Sequence, residues 1–214
     1  MHTIEIVSDV SCPWCVIGYR ALKRAIDELE LNESIQINWK PFELNPGMAR
    51  EGQDRAEHIQ QKYGLTSEQG KSNRQNLIDR GRLEGYEFNF PEDGRVYNTF
   101  NAHRLIHWAQ QHGLQTELKL AFFDLYFQQA GNPSCDDELL ACVADVGLPL
   151  EQAKKVLISD EFAQQVRAEQ QENQRKGISA VPAFIFNNKY LVSGGQVKDS
   201  FVNVLQELEK QSSV

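Results

Sequence analysis

The chain has 214 residues, of which 41% are hydrophobic and 24% are charged, a balance typical of a globular protein with a sizeable core. Its formal net charge of −8 argues against electrostatic capture of nucleic acid or of an anionic membrane surface, so neither is an expected partner. No apolar run approaches the length of a membrane span, and no basic stretch followed by an apolar one opens the chain. We therefore expect a cytoplasmic protein without a secretory signal.

The first forty residues predict a strand, a helix and a second strand. Residues 3–8 alternate between apolar and polar side chains, as in a half-buried strand. Apolar residues then recur on one helical face over residues 15–29, and alternation returns over residues 35–39. This order predicts a βαβ unit with parallel strands and a right-handed crossover.

The next stretch, about residues 50–177, is almost entirely helical in character. Thr66-Ser67-Glu68-Gln69 looks like a capping box that opens one helix, which ends near Gly85. Asn98 is the predicted cap of another helix, and Pro149 is predicted at a first helical position. The remaining predicted helices cover residues 98–113, 116–130, 136–146 and about 160–176.

Strand character returns after Gly177. Residues 181–186 and 190–192 are predicted as the two strands of a hairpin around Asn187-Asn188, and a closing helix follows. The pieces at the two ends of the chain are too small to bury their sheet faces separately. We therefore expect one α/β domain built from residues 1–47 and 177–214, with residues 48–176 inserted as a helical domain.

Cys12-Pro13-Trp14-Cys15 lies between the first strand and the first helix. With Cys12 as N-cap and Pro13 as first helical residue, the N–H groups of Trp14 and Cys15 point toward the Cys12 sulfur. Such sites lower a cysteine pKa from about 8.5 into the range of roughly 3.5–7.5, which predicts Cys12 as the attacking thiolate. Cys15, one turn further along, is predicted to be the more buried, resolving thiol. Trp14 either presents an apolar surface to the substrate or covers Cys15.

Cys-x-x-Cys is also a zinc half-site, which needs two further ligands. Cys135 and Cys142 are seven residues apart, not two or three, and His103 and His107 lack the Glu of a His-Glu-x-x-His motif. We therefore expect a redox centre and no metal. On one helix the second cysteine pair would be separated by roughly 10.5 Å, too far for a disulfide, which favours separate thiols. Because Asn132-Pro133 can place Cys135 outside the helix, a second redox pair of Cys135 and Cys142 stays an alternative.

Val181-Pro182 precedes the late strand run. Proline is tolerated there because it cannot donate to a strand ladder. A cis bond would leave the N–H and C=O groups of Val181 free to bind an extended substrate as a short added strand. The residues alone favour the trans form, because only about 5–6% of X–Pro bonds are cis.

The cysteine motif after a short strand, the late Val181-Pro182-Ala183-Phe184 and the helical insertion between them resemble the DsbA family. The closer similarity is to its cytosolic FrnE-like branch, related to 2-hydroxychromene-2-carboxylate isomerases and kappa-class glutathione transferases. Three further segments fit that branch, namely residues 39–46, 98–105 and 194–196. The resemblance implies a thioredoxin-like fold.

The resemblance also implies roles for individual residues. It implies a cis Val181-Pro182 bond packed against the cysteine pair, and Cys12 as an exposed nucleophile. It places Asn98 and His103 in the active-site cleft, with helix capping and core packing as their alternative roles. Relatives with serine at the Cys12 position activate glutathione, whereas this chain keeps both cysteines, which favours dithiol–disulfide exchange.

The leading hypothesis is therefore a thiol–disulfide oxidoreductase that needs no cofactor and acts on a disulfide- or dithiol-containing protein or a small thiol. One alternative is a glutathione-dependent isomerase or transferase in the same cleft, and glutathione as a redox partner is left open. The other is a non-enzymatic, chaperone-like protein that binds through an apolar cleft. The Pro-Trp pair differs from the Pro-His of periplasmic DsbA, so strong oxidant behaviour is not implied. The direction of electron flow and the oligomeric state stay open.

Overall fold

A computed structural model describes residues 1–212 of the chain, with side chains described as far as residue 211. Its main sheet has four strands in the order β2-β1-β5-β6, and a separate small sheet pairs β3 with β4. β1 runs parallel to β2, while β1–β5 and β5–β6 are antiparallel. The strands are β1 (His2–Ser8), β2 (Ile35–Pro41), β3 (Gln53–Asp54), β4 (Arg95–Val96), β5 (Ala183–Phe186) and β6 (Tyr190–Ser193).

Helices α2 to α8 lie between β2 and β5 in the sequence, while α1 joins β1 to β2 and α9 closes the described chain. Within residues 1–212, no helix combines the length and the apolar character needed to cross a membrane. The helices are α1 (Pro13–Glu28), α2 (Arg55–Tyr63), α3 (Ser67–Leu83), α4 (Phe100–Ala109), α5 (Gln115–Phe127), α6 (Asp136–Asp145), α7 (Leu150–Ile158), α8 (Ala163–Arg175) and α9 (Lys198–Ser212).

The predicted fold class is confirmed. The flanking βαβ and ββα parts share one sheet, as in a thioredoxin-like fold, and the helical segment is inserted between them. The local signals also hold: Thr66 and Gln69 form a capping box at α3, and β5 and β6 form the predicted hairpin. The exact division at residues 47–48 and 176–177 stays a prediction, and residues 213–214 of the predicted outer domain lie outside the described residues.

One apolar core connects the sheet with the inserted helices. Trp39 of β2 makes the clearest link, because its ring packs edge-on against Phe123 of α5 with 6.0 Å between centroids. Its indole N–H donates to Thr116 Oγ1 at 3.0 Å, and its backbone N–H donates to the side-chain oxygen of Gln115 at 2.9 Å. The start of α5 is thereby fixed beside the end of β2, close to the Cys12-Pro13-Trp14-Cys15 segment.

Several predicted boundaries are corrected by cap geometry. Pro149 is the N-cap of α7 and not its first helical residue, because its extended backbone precedes the helix. Thr99 is the N-cap of α4, although the Asn98 side chain accepts the Phe100 N–H at 2.9 Å and so satisfies one free donor of that helix. The strand predicted from Val181 begins at Ala183.

Candidate active site

Cys12 and Cys15 open helix α1 at the carboxyl end of β1. Cys12 is the N-cap, with φ −98° and ψ 108°, and Pro13 is the first helical residue. Asp9 shapes the preceding turn, because its carboxylate accepts the Leu44 N–H at 2.7 Å and the Ser11 hydroxyl at 3.0 Å. The sequence therefore places a cysteine at a helix N-terminus, as predicted.

Cys12 is not the exposed residue that the family resemblance implied. It is only 3% exposed, and Cys15 is fully buried. The reason is a cover formed by α2 and α3, which encloses a cavity of about 320 Å³ above Cys12. The side chains that line this cavity are Ser11, Cys12, Pro13, Trp14, Leu44, Asn45, Arg55, His58, Ile59, Tyr63, Arg74, Leu77, Phe90, Val96, Tyr126, Phe127 and Val181. We call this space the Cys12 cavity.

Val181 and Trp14 flank the Cys12 sulfur. The Val181 carbonyl lies 3.7 Å from Cys12 Sγ and can accept its thiol proton, and the Val181–Pro182 peptide bond is cis. Pro182 is buried behind Val181, and its carbonyl accepts the Gly194 N–H at 2.8 Å. Trp14, 41% exposed, forms the rim of the cavity.

The third segment of the family resemblance packs against that rim. A Cβ atom on Gly195 would lie 3.0 Å from the Trp14 ring and 3.2 Å from the Trp14 carbonyl oxygen. A side chain at this position would push on the first turn of α1, so glycine permits the close approach of the β6–α9 connection. This contact gives the Gly194-Gly195-Gln196 segment a structural role beside the cysteine pair.

The charge distribution of the cysteine pair differs from the sequence prediction. A hydrogen bond from the Cys12 thiol to the Cys15 sulfur, together with burial, raises the pKa of Cys12 well above its ordinary value. The Cys15 N–H does act on the Cys12 sulfur in the predicted sense, but it is outweighed. Burial opposes ionisation of Cys15, yet hydrogen bonds from Cys12 and Ser8 and the Lys119 ammonium lower its pKa. Of the two sulfurs, Cys15 is therefore the one whose ionisation its surroundings favour.

Three buried charged or titratable groups lie beneath the pair, namely Asp9, His103 and Lys119. His103 Nε2 lies 3.4 Å from Asp9 Oδ1. Burial works against ionisation of Asp9, but the hydrogen bonds from His103 and Leu44 lower its pKa to about 2. Lys119 is 1% exposed and packs over the rings of Trp39 and Phe123. Burial lowers the pKa of Lys119 to about 8, although the charges of Cys15 and Asp9 oppose this shift.

Asn98 and His103 are not among the side chains that line the Cys12 cavity, and their place in the active-site cleft stays a prediction of the family resemblance. The Asn98 side chain donates to the Met48 carbonyl at 3.0 Å and borders a different, smaller cavity near Arg50. His103 is 2% exposed and contacts Asp9 beneath the pair. Asn98 therefore contacts the start of α4, and His103 contacts the buried charge cluster through Asp9.

The face that covers the cysteines was missed by the sequence reasoning. Arg55, Ile59 and Tyr63 follow one another at i, i+4 spacing on α2, and Arg74 and Leu77 are three residues apart on α3. Neither helix has a continuous apolar stripe, so periodicity gave no signal. Lys119 did carry a signal in the sequence. It lies in the apolar stripe of α5, three residues before Phe122 and four before Phe123.

The other two cysteines are separate thiols in this structure. Cys135 is the N-cap of α6 and Cys142 lies almost two turns along the same helix, so their Cα atoms are too distant for a disulfide without rearrangement. Burial raises the pKa of Cys142 to about 11, which makes it unreactive at neutral pH. Among residues 1–212, no group of three or more His, Cys, Asp or Glu side chains is arranged to hold a metal ion.

The chain matches the model of the DSBA-like thioredoxin domain family over residues 3–206, and so it belongs to that family. Among solved structures, it is similar to the probable DsbA oxidoreductase SCO1869 from Streptomyces coelicolor. The two are 30% identical, with 97% of this chain and 89% of that chain covered and a TM-score of 0.89.

Two more distant structures share the fold. One is a 2-hydroxychromene-2-carboxylate isomerase, 14% identical over 99% of this chain and 98% of that chain, with a TM-score of 0.71. The other is the cytosolic disulfide reductase DsbM from Pseudomonas aeruginosa with GSH, 14% identical over 97% of this chain and 99% of that chain, with a TM-score of 0.66. At this level of identity the two likenesses show the common fold.

Proposed function

We propose that this member of the DSBA-like family is a thiol–disulfide oxidoreductase whose redox centre is Cys12 and Cys15. The observation that carries the proposal is the arrangement of the two sulfurs. Cys12 lines the cavity, whereas Cys15 is fully buried and does not line it, in surroundings that lower its pKa. This arrangement supplies an accessible nucleophile and a second sulfur within reach of it.

In this proposal the two sulfurs have different tasks. Cys12 passes its proton along the hydrogen bond to the Cys15 thiolate and attacks one sulfur of a bound disulfide, so that a mixed disulfide forms and one thiolate leaves. The departing thiolate takes the proton from Cys15. The Cys15 thiolate then attacks Cys12 Sγ and releases the second thiolate. Two electrons have moved from the protein dithiol to the substrate, and the reverse sequence oxidises a dithiol.

The proposed substrate contacts come from four residues around Cys12. Pro13 and Trp14 form the rim, and Val181 faces the Cys12 sulfur, with Pro182 buried behind it. No group of the described chain accepts a hydrogen bond from the Val181 N–H, so this group is free to donate to an extended substrate. Glutathione is the proposed small-thiol redox partner, since the structural neighbour DsbM is described with GSH and as cytosolic. A cytoplasmic location is proposed on the same ground.

Reduction of insulin or of a small disulfide tests the proposal, with Cys12→Ser as the decisive variant. We expect Cys12→Ser to abolish the activity and Cys15→Ser to leave the protein trapped as a mixed disulfide, visible by mass spectrometry. Cys142→Ser is the matched control, because its thiol lies outside the Cys12 cavity. Full activity of Cys12→Ser would overturn the proposal. The potential of the pair then gives the direction: about −270 mV indicates a reductase and about −120 mV an oxidant.

A glutathione-dependent isomerase or transferase is the second candidate, favoured by the enclosure of Cys12. A partly enclosed cavity of about 320 Å³ has the size of a small-ligand site, and this size is the observation that favours the second candidate. Saturable glutathione binding together with turnover that survives Cys15→Ala would favour this candidate over dithiol exchange.

A further inference from the structure

We propose that the Cys12 cavity selects small disulfides that carry a carboxylate or another anionic group, and that Arg74 of α3 is the residue that binds this group. The inference rests on the proposed function and adds a substrate class to it. Its basis is the set of side chains that surround the Cys12 sulfur, and in particular the charges among them.

The lining of the Cys12 cavity is unusual for a chain with a net charge of −8. It contains two arginines, Arg55 and Arg74, and one histidine, His58, but no aspartate or glutamate. A second cavity of about 400 Å³ shares Trp14 and Arg74 with the first, and its lining also lacks acidic side chains. The side chains that line the space next to Cys12 therefore carry a positive charge balance, although the molecule as a whole is negative.

Arg74 is the side chain available to a ligand. It is half-buried and lines both cavities, and within the described chain it makes no hydrogen bond, ion pair or ring contact. Arg20, which is also half-buried, is by contrast engaged: it donates to the Gly85 carbonyl at 3.3 Å and lies 5.4 Å from the centre of the Tyr86 ring. A half-buried guanidinium without a partner has five donors to offer, in a geometry that matches a carboxylate.

Arg55 has a different task. Its guanidinium lies 5.3 Å from the centre of the Phe90 ring, bonds the Pro91 carbonyl at 3.4 Å and packs on Gly94, where a Cβ atom would overlap it. These contacts hold it in place without neutralising its charge. Arg55 therefore contributes a fixed positive field on the side of the cavity formed by α2, while Arg74 supplies the free donors.

Size and polarity complete the description of the ligand. The cavity lies at the small end of the range of roughly 300–1,000 Å³ that holds small molecules. Trp14, Ile59 and Leu77 provide apolar walls next to the arginines. A small disulfide with a short apolar arm between its sulfur and a terminal carboxylate fits this combination, with the sulfur at Cys12 and the carboxylate at Arg74.

The reaction is the exchange described above, now with a charged substrate. Cys12 forms a bond to one substrate sulfur, the substrate S–S bond breaks and the first anionic thiolate leaves. Cys15 then forms the protein disulfide and releases the second thiol. The protein dithiol is oxidised by two electrons, and one disulfide is reduced to two thiols. Arg74 takes no part in the electron transfer and acts by positioning the substrate.

Three small disulfides test the inference: 3,3′-dithiodipropionate, which is anionic, 2-hydroxyethyl disulfide, which is neutral, and cystamine, which is cationic. Each is mixed with reduced, desalted full-length protein, and oxidation is followed by rapid acid quench and thiol alkylation. Each rate constant is divided by that of dithiothreitol with the same disulfide, which removes the intrinsic reactivity. We expect a preference of about tenfold for the anionic over the neutral disulfide, as one charge-assisted contact provides.

Substitutions at Arg74 separate substrate binding from other effects. Arg74→Gln should lower the anionic-to-neutral ratio by about tenfold, Arg74→Lys should recover part of it, and Arg74→Glu should shift the preference to cystamine. Arg80→Gln removes the same charge from the same helix outside both cavities, and it should leave the ratio unchanged. Circular dichroism of each variant verifies that it is folded.

The outcomes are distinct. Equal normalised rates for the three disulfides in the wild type would overturn the inference and leave the proposed function standing. An equal loss for all three in Arg74→Gln would also overturn it, because Arg74 would then act on the Cys12 thiolate and not on the substrate. Oxidation by none of the three disulfides would instead contradict the proposed function.

Discussion

At the scale of single residues, the reactivity of the pair depends on two buried charges. Asp9 raises the pKa of Cys12, after the larger effects of Cys15 and burial, and Lys119 lowers the pKa of Cys15. Both act in a site from which water is excluded, where charges interact more strongly than at the surface. The two buried charges therefore act in opposite directions on the two sulfurs, against ionisation of Cys12 and in favour of ionisation of Cys15.

Lys119→Met should make the reduction potential of the cysteine pair more negative. The ammonium stabilises the Cys15 thiolate and hence the reduced protein, so its loss raises the pKa of Cys15 and favours the disulfide. Each 1.4 kcal/mol of lost stabilisation corresponds to about 30 mV. The measurement is equilibration with glutathione buffers of known potential at pH 7, below the Lys119 pKa of about 8, where the ammonium is charged.

Lys40→Met is the matched control for this prediction. Lys40 is also partly buried, but its ammonium pairs with Glu169 at 2.9 Å, and it is absent from the interactions that shift either cysteine. Its replacement should leave the potential unchanged. An unchanged potential in a folded Lys119→Met variant would show that Lys119 does not act on the pair.

At the scale of elements, Arg104 connects α4 to the turn between α7 and α8. Its guanidinium donates to the Val156 and Ser159 carbonyls and, at 2.9 Å, to the Glu161 carbonyl. The residue is 4% exposed. It satisfies the last carbonyls of α7 and holds the turn in which Phe162 has a left-handed backbone with φ 61°.

Arg104→Met should destabilise the protein by about 3 kcal/mol, because it removes three hydrogen bonds of a buried guanidinium and leaves the buried Val156 carbonyl without its donor. Urea unfolding followed by circular dichroism measures the change. Arg82→Met serves as the control, since Arg82 is exposed and pairs only with Asp79 and Glu87, and it should change the stability by no more than about 0.5 kcal/mol. Equal stabilities of the two variants would contradict this role of Arg104.

The elements that sequence predicted well are those set by local signals. Pro13 after Cys12 predicted the start of α1, and the capping box at Thr66 predicted the start of α3, because caps are satisfied by nearby residues. The parallel pair and the hairpin followed from alternation and turn chemistry. The prediction that Cys12 is exposed was wrong, because its burial depends on α2 and α3, which approach it only in the tertiary structure.

Tertiary packing also explains why the sequence did not predict the buried charge cluster or the Cys12 cavity. Asp9 and Lys119 are 110 positions apart in the sequence and come near each other only because α5 packs against β2, the strand next to β1. Arg74 looked like one more surface charge on a polar helix, and nothing local marks it as a lining residue. The sequence thus predicts the type of chemistry, while the packing of distant elements determines charge placement and access.

At the scale of the whole molecule, access to Cys12 depends on how firmly α2 and α3 are held. No side chain of α2 is buried, and the buried residues of α3 are Gly70 and Gly81. By contrast, α4 and α5 bury most of their residues in the common core. Elements with few buried contacts open locally at a lower free-energy cost, so the cover is the part of the fold best suited to admit substrate.

Hydrogen exchange should therefore show faster exchange of amides in α2 and in the first half of α3 than in α4 and α5, by about tenfold or more. Attaching 3-mercaptopropionate to Cys12 by a mixed disulfide in Cys15→Ser places a ligand in the Cys12 cavity, and it should slow exchange in α2 and α3 while α9 is unaffected. Uniform protection across the inserted helices, or no slowing by the ligand, would contradict this view. The opening rate of the cover then sets an upper limit on reaction with protein disulfides, whereas small disulfides reach Cys12 through the mouth of the cavity beside Trp14.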